Sequence, residues 1–263
     1  MADEQRKTVQ EVVAPQNQKE LVATIRSRAA QILDNLSLGE TFDWVDHVSV
    51  ELTTQMLATL FDFPFEDRSK LARRSDIVCA RPGEGIINSH EQRQEKLMEC
   101  LAYFSRLRKE CENNPVGHDF ISMMISGEAK RILSPQGYLG NVRLLNVGGN
   151  DTTRNSISDG VLTLNQHLQE YQKLRDNPAF FPYLVSEIIR WMTPLARMRR
   201  TLTNYFKFTG QEMKAGNKVT IWLAQGNRDE RSIKDSFRSL ADRKRARTIF
   251  PSALDYTAAW ATA

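Results

Sequence analysis

Apolar residues recur three and four positions apart over residues 17–36, 43–61, 65–80 and 91–113, the spacing of one face of an α-helix. In the second stretch Val45, Val48, Leu52, Met56 and Leu57 share that face. Pro82-Gly83-Glu84-Gly85 separates the third stretch from the fourth. Ser134-Pro135 opens a long apolar helix, with proline in its first turn, that runs to about Leu168. Asn177-Pro178 starts a further helix, and Thr193-Pro194 ends it. Beyond Pro194 the pattern shortens to strand-like runs at 198–203, 205–209 and 218–223, with Gly210 and Ala215-Gly216-Asn217 as turns. The expected fold is mainly α with a small β region. With no repeat, low-complexity segment or linker, it reads as one domain, incomplete at both ends.

Composition narrows the function classes. At 263 residues, 41% apolar and 26% charged, the chain can bury a sizeable core and has the balance of a soluble globular protein. The net charge is +4, and the basic residues are interleaved with acids, as in Glu66-Asp67-Arg68-Ser69-Lys70. That pattern suits solvated helix faces and argues against a nucleic-acid footprint. Cys79, Cys100 and Cys111 have no metal-ligand spacing and are expected to be reduced thiols in a cytoplasmic protein. No apolar run reaches the roughly 18 residues of a transmembrane span, and no export signal is visible.

The candidate chemistry lies inside the long helix, at Gly148-Gly149-Asn150-Asp151-Thr152-Thr153. Two adjacent glycines each cost a helix roughly 1 kcal/mol relative to alanine. An acid and two hydroxyls come directly after them, which suits a helix that loosens locally to present them to something bound. Glu187 and Arg190 form a second signature three residues apart on the later helix. In order and spacing these two, with Arg200-Thr201-Leu202-Thr203 and Gly226 to Glu230 behind them, resemble the cytochrome P-450 haem-thiolate monooxygenases. That family carries [AG]-G-x-[DE]-T-[TS] on its long central helix and E-x-x-R later. The wording around the motifs resembles most the bacterial alkane and fatty-acid terminal hydroxylase branch, over about residues 5–235.

The resemblance implies a haem cofactor and a role for each matched residue. Thr152 donates a hydrogen bond to bound dioxygen, and Asp151 relays protons from solvent. Gly148 and Gly149 leave room for dioxygen and let the helix open. The bland alternative has Thr152 bonded back to its own helix and Asp151 merely solvated. Glu187 and Arg190 are a structural pair, with a third member in the region of Arg238 or Arg243. Arg200 and Arg6 match the family's propionate-binding arginines, although the histidine that accompanies the second falls at Ala2. Leu144, Leu145 and Val147 line the substrate cavity in the family and are equally ordinary core residues. Asn146, polar within that run, needs a partner if buried. The implied reaction hydroxylates a small hydrophobic substrate, a linear alkane or fatty acid, with electrons from a ferredoxin and its ferredoxin reductase. The rival class is a helical binding protein without a cofactor.

The family's iron ligand is a cysteine in F-x-x-G-x-x-x-C-x-G, which should begin soon after Arg247, yet no cysteine occurs beyond Cys111. Back-translated and read two bases later, Thr248 to Ala263 gives HLSFGFGLHRCVGNR when the first base of each shifted codon is chosen among synonyms, the second and third being almost entirely fixed by the residues present, and this contains that motif. Residues 1–247 therefore read as a partial family domain, and 248–263 as a frameshifted haem-binding loop. The family's N-terminal substrate-recognition segment is also expected to be absent. The chain as written is expected to hold no metal ligand and to be inactive.

Overall fold

The computed structural model describes residues 15–83, 85–113, 119–125 and 135–244. Arg6 and the expected frameshifted stretch 248–263 lie outside these residues. The chain forms two compact units, one reaching Asn155 and one starting at Ser156.

The first unit is helical. It contains α1 (Pro15–Asp34), α2 (Glu51–Leu60), α3 (Ser69–Cys79), α4 (His90–Asn113), α5 (Phe120–Ile125) and the first part of α6 (Pro135–Gln166). Its core is the apolar face of these helices: Leu57, Phe61, Leu71, Phe104, Ile121, Tyr138 and Val142 are buried together. The Phe61 and Phe120 rings meet at 5.1 Å between centroids, within the range of favourable aromatic pairs.

One departure from the expected periodicity has a clear cause. Val45–Val50 forms a π-helical turn ahead of α2, and its wider winding shifts the phase of the residues after it. Val48 and Leu57 are buried as expected, whereas Val45 is exposed. Thr53 and Thr54 join the buried face, and both hydroxyls are satisfied locally. Thr53 Oγ1 donates to the Ser49 carbonyl at 2.8 Å and Thr54 Oγ1 to the Val50 carbonyl at 2.8 Å.

The second unit holds the end of α6, α7 (Leu168–Asp176), α8 (Phe181–Met192), strands β1 (Arg197–Thr201), β2 (Phe206–Phe208), β3 (Gln211–Met213) and β4 (Lys218–Trp222), and the short α9 (Leu223–Gly226). The long helix stops at Gln166, two residues short of its expected end. The His167 carbonyl then accepts from Glu170 and Tyr171 N–H and starts α7. Thr193, in the left-handed conformation, ends α8. β1 pairs antiparallel with β4, Arg200 opposite Val219. β2 and β3 form a two-residue hairpin across Thr209 and Gly210, both at positive φ as a type I′ turn requires. A small core of Leu174, Leu184 and Ala241 packs with Leu164 and Ile188. Gly160 permits the α6–α8 approach, since a Cβ there would lie 2.9 Å from Ile188 Cδ1.

Candidate active site

Helix α6 remains helical through both glycines, so the expected local loosening is not seen in this state. The two glycines do different work. A Cβ on Gly149 would lie 2.8 Å from Leu57 Cδ2, so its hydrogen is what lets α2 and α6 close. A Cβ on Gly148 would meet nothing within 4 Å. Leu144, Gly148 and Thr152 succeed one another at four-residue spacing on that barer side of α6. Leu145 instead packs against the core of the first unit, and Val147 is half-buried. Among the three apolar residues preceding the glycines, Leu144 is the exposed one.

Thr152 Oγ1 donates to the Gly148 carbonyl at 2.7 Å, the bond back to its own helix. Its proton must leave the helix carbonyl before it can serve a ligand. Asp151 is not merely solvated. Ser75 Oγ donates to its Oδ1 at 3.1 Å, Asn150 Nδ2 to the same oxygen at 3.2 Å, and Cys79 Sγ lies 3.4 Å from Oδ2. Arg154 Nη2 is 3.3 Å from Asp151 Oδ1, and its Nη1 is 3.4 Å from Asp76 Oδ1. Burial pushes the Cys79 thiol up to about 11, and the charge of Asp151 with its hydrogen bond adds to the effect.

Asn146 is buried, as its place on the core side of α6 dictates, and its Nδ2 donates to the Leu71 carbonyl at 3.0 Å. Its Oδ1 has no hydrogen-bond partner among the described residues.

In the second unit Glu187 and Arg190 are fully buried on α8 and meet in a two-pronged ion pair, Nε to Oε2 at 2.8 Å and Nη2 to Oε1 at 2.7 Å. Arg190 also donates to the carbonyls of Asn227, Ser236 and Arg238. Of the two arginines expected nearby, Arg243 contributes its side chain, with Nε 2.9 Å from Glu187 Oε2. Arg238 contributes its carbonyl, and Leu240 N–H donates to Glu187 Oε1 at 3.0 Å. The cluster ties α8 to the irregular chain after α9. Arg200 lies half-buried on β1, its Nη1 donating to the Arg199 carbonyl at 3.2 Å.

Sequence reasoning missed Ser75, Asp76, Cys79 and Arg154. Arg154 is three residues beyond Asp151 and could have been read as its helical neighbour. Ser75 and Cys79 share a face of α3, but nothing in the pattern says which helix that face meets.

The residues present fit a haem on the α6 side. A Cβ on Gly148 would meet nothing within 4 Å, so there is room beside the helix at that point, and the Thr152 hydroxyl and the Asp151 carboxylate are polar groups near it. Burial pushes the Cys79, Cys100 and Cys111 thiols all upward, toward the protonated form. Among the described residues, no three His, Cys, Asp or Glu side chains gather as metal ligands.

No model of a protein family matches the chain. Linalool 8-monooxygenase from Pseudomonas putida is 30% identical over 89% of this chain and 57% of its own length. Among solved structures, CYP153D17 from Sphingomonas sp. is 43% identical, with a TM-score of 0.85 over 93% of this chain and 61% of that one. A cytochrome P-450 from Novosphingobium aromaticivorans is 39% identical, with a TM-score of 0.83 over 97% of this chain and 64% of that one. The chain thus spans a little over half the length of the curated relative.

Proposed function

Because the chain belongs to the cytochrome P-450 family, we propose that it is part of a haem-dependent monooxygenase that hydroxylates linear alkanes or fatty acids at a terminal carbon. The observation that carries this reading is α6 itself. Its Gly148 side is bare, the Thr152 hydroxyl stands one turn further on, and the Asp151 carboxylate is held beside it by partners on α3. When bound, haem would supply the activation of dioxygen with two electrons and two protons, one oxygen atom entering the substrate and the other leaving as water. The protein's own part is to place groups. Thr152 Oγ1 releases its bond to the Gly148 carbonyl and donates toward the ligand. Asp151 carries protons between that hydroxyl and solvent. Leu144 and Val147 offer an apolar surface to the substrate, Leu145 remaining with the core.

Arg200 on β1 is assigned to a haem propionate, with Arg6 as its second partner. The Glu187–Arg190–Arg243 cluster is structural. Electrons come from a ferredoxin and its reductase. The terminal-hydroxylase preference rests on the wording around Gly148–Asn155 and Glu187–Pro194. A relative named for linalool agrees with a small hydrophobic substrate. No described helix is long and apolar enough to cross a membrane, which is compatible with a cytoplasmic enzyme.

The thiolate ligand belongs, on this reading, to the loop recovered by the two-base shift of residues 248–263. The test compares two proteins of the relatives' length. One carries residues 248–263 as they stand and the other carries HLSFGFGLHRCVGNR in their place. After reduction and exposure to carbon monoxide, only the second is expected to show the absorbance band of a thiolate-ligated haem. The band in the unrestored protein with Cys79, Cys100 and Cys111 all replaced would overturn the ligand assignment.

A further inference from the structure

We infer that Arg154 is the positioning residue for Asp151, holding its carboxylate against α3 together with Ser75 and Cys79. This rests on the reading of Asp151 as a proton carrier and goes beyond it by naming what sets where that carboxylate points.

Asp151 is largely shielded, with one-fifth of its side chain exposed, so its charge needs partners. Ser75 Oγ, Asn150 Nδ2 and Arg154 Nη2 converge on Oδ1, leaving Oδ2 to the Cys79 thiol. Of these four, only Arg154 carries a charge. Arg154 comes from α6, three residues along, and it also reaches back to Asp76 on α3. Its guanidinium therefore spans two carboxylates, one from each helix, with one nitrogen for each. Without it, Asp76 and Asp151 would face one another across the helix contact as like charges with neutral donors only. The Asp151 carboxylate would then turn away from α3, toward solvent or along α6.

Cys79 is a built-in reporter of where that carboxylate lies. It is exposed at the end of α3, and its Sγ touches Asp151 Oδ2. The charges of Asp151 and Asp76 raise its pKa, and that of Arg154 lowers it. These opposing signs separate two explanations. If Arg154 acted only as a nearby cation, its loss would make Cys79 less reactive. If Arg154 holds Asp151 in place, its loss frees the carboxylate to leave, and Cys79 becomes more reactive.

The experiment alkylates the full chain with iodoacetamide at pH 8.5 and monitors each cysteine by peptide mass mapping. Asp151→Asn is expected to speed Cys79 several-fold, because each unit of lowered thiol pKa gives about tenfold more thiolate. Arg154→Gln is expected to speed it as well, and Arg154→Lys to restore the slow rate. In the Asp151→Asn background, Arg154→Gln should give no further acceleration, since there is no carboxylate left to position, and the loss of the nearby positive charge should slow Cys79. A slower or unchanged rate in Arg154→Gln overturns the proposal. So does an acceleration that persists without Asp151, which would mean that the helices had merely loosened. The readout needs no haem, so its failure is distinct from a failure of the monooxygenase reading, which the carbon monoxide spectrum tests.

Discussion

At Gly149 a single methyl group would collide with Leu57, while at Gly148, one residue earlier, it would meet open space. The two substitutions should therefore part company. Gly148→Ala is expected to raise stability toward urea by up to about 1 kcal/mol, the helix-propensity difference between the two residues. Gly149→Ala should lose about 1–2 kcal/mol against it, because overpacking a closed helix contact outweighs that gain. Equal midpoints in urea would mean that neither glycine is selected for space. The sequence marked both glycines as a pair with one purpose. Only the packed neighbour on α2 separates them, because a helix period shows which residues share a face and not what lies across from it. The same limit hid Ser75 and Cys79, whose partner Asp151 is more than seventy positions away.

At the scale of elements, the longer helices (α1 to α4, α6 and α8) and most strands after Pro194 were legible because their periods are 3.6 and 2 and prolines or glycines mark their ends, whereas the six-residue α5 was too short to show a period. The π-helical turn before α2 was not legible, since its winding has no periodic signature in six residues. The three-residue strand β3 was too short to show alternation, and α7 was hidden because His167 breaks the chain without a glycine or proline. One contact between α4 and the turn ahead of α3 carries a pH dependence. Tyr103 Oη donates to Asp67 Oδ2 at 2.7 Å, and burial first, then this bond, pushes the Tyr103 phenol up to about 12. A phenol raised by folding favours the native state fully below its unfolded value of about 10. That contribution is lost as pH climbs through the folded value. Stability should therefore decline between about pH 10 and 12, and Tyr103→Phe should flatten this part of the curve. An unaltered alkaline limb in the variant would show that the contact is not linked to folding.

Across the whole molecule, the irregular stretch after α9 has few apolar residues to hold it, and Glu187 and Arg190 supply what burial alone does not. Glu187 meets Arg190, Arg243 and the Leu240 N–H, and Arg190 meets three carbonyls of that stretch. Glu187→Ala leaves two arginines without their counter-charge, one of them fully buried, and should cost about 3–5 kcal/mol. Thermal unfolding of the chain would detect it, and an unchanged midpoint would reduce the cluster to ordinary surface pairing. The pair was legible as a motif, but its depth was not, since E-x-x-R at helical spacing looks alike on a wet face and in a core. The central claim is that the Gly148–Thr152 segment of α6 manages protons for oxygen chemistry. Its most direct test uses the relative-length protein with the restored loop and a ferredoxin system. NADH consumed, hydrogen peroxide released and alcohol formed are measured for the parent and for Thr152→Ala. NADH consumption is expected to continue while alcohol falls about a hundredfold or more and peroxide rises to match, whereas normal coupling in Thr152→Ala would mean that α6 is a helix for packing alone.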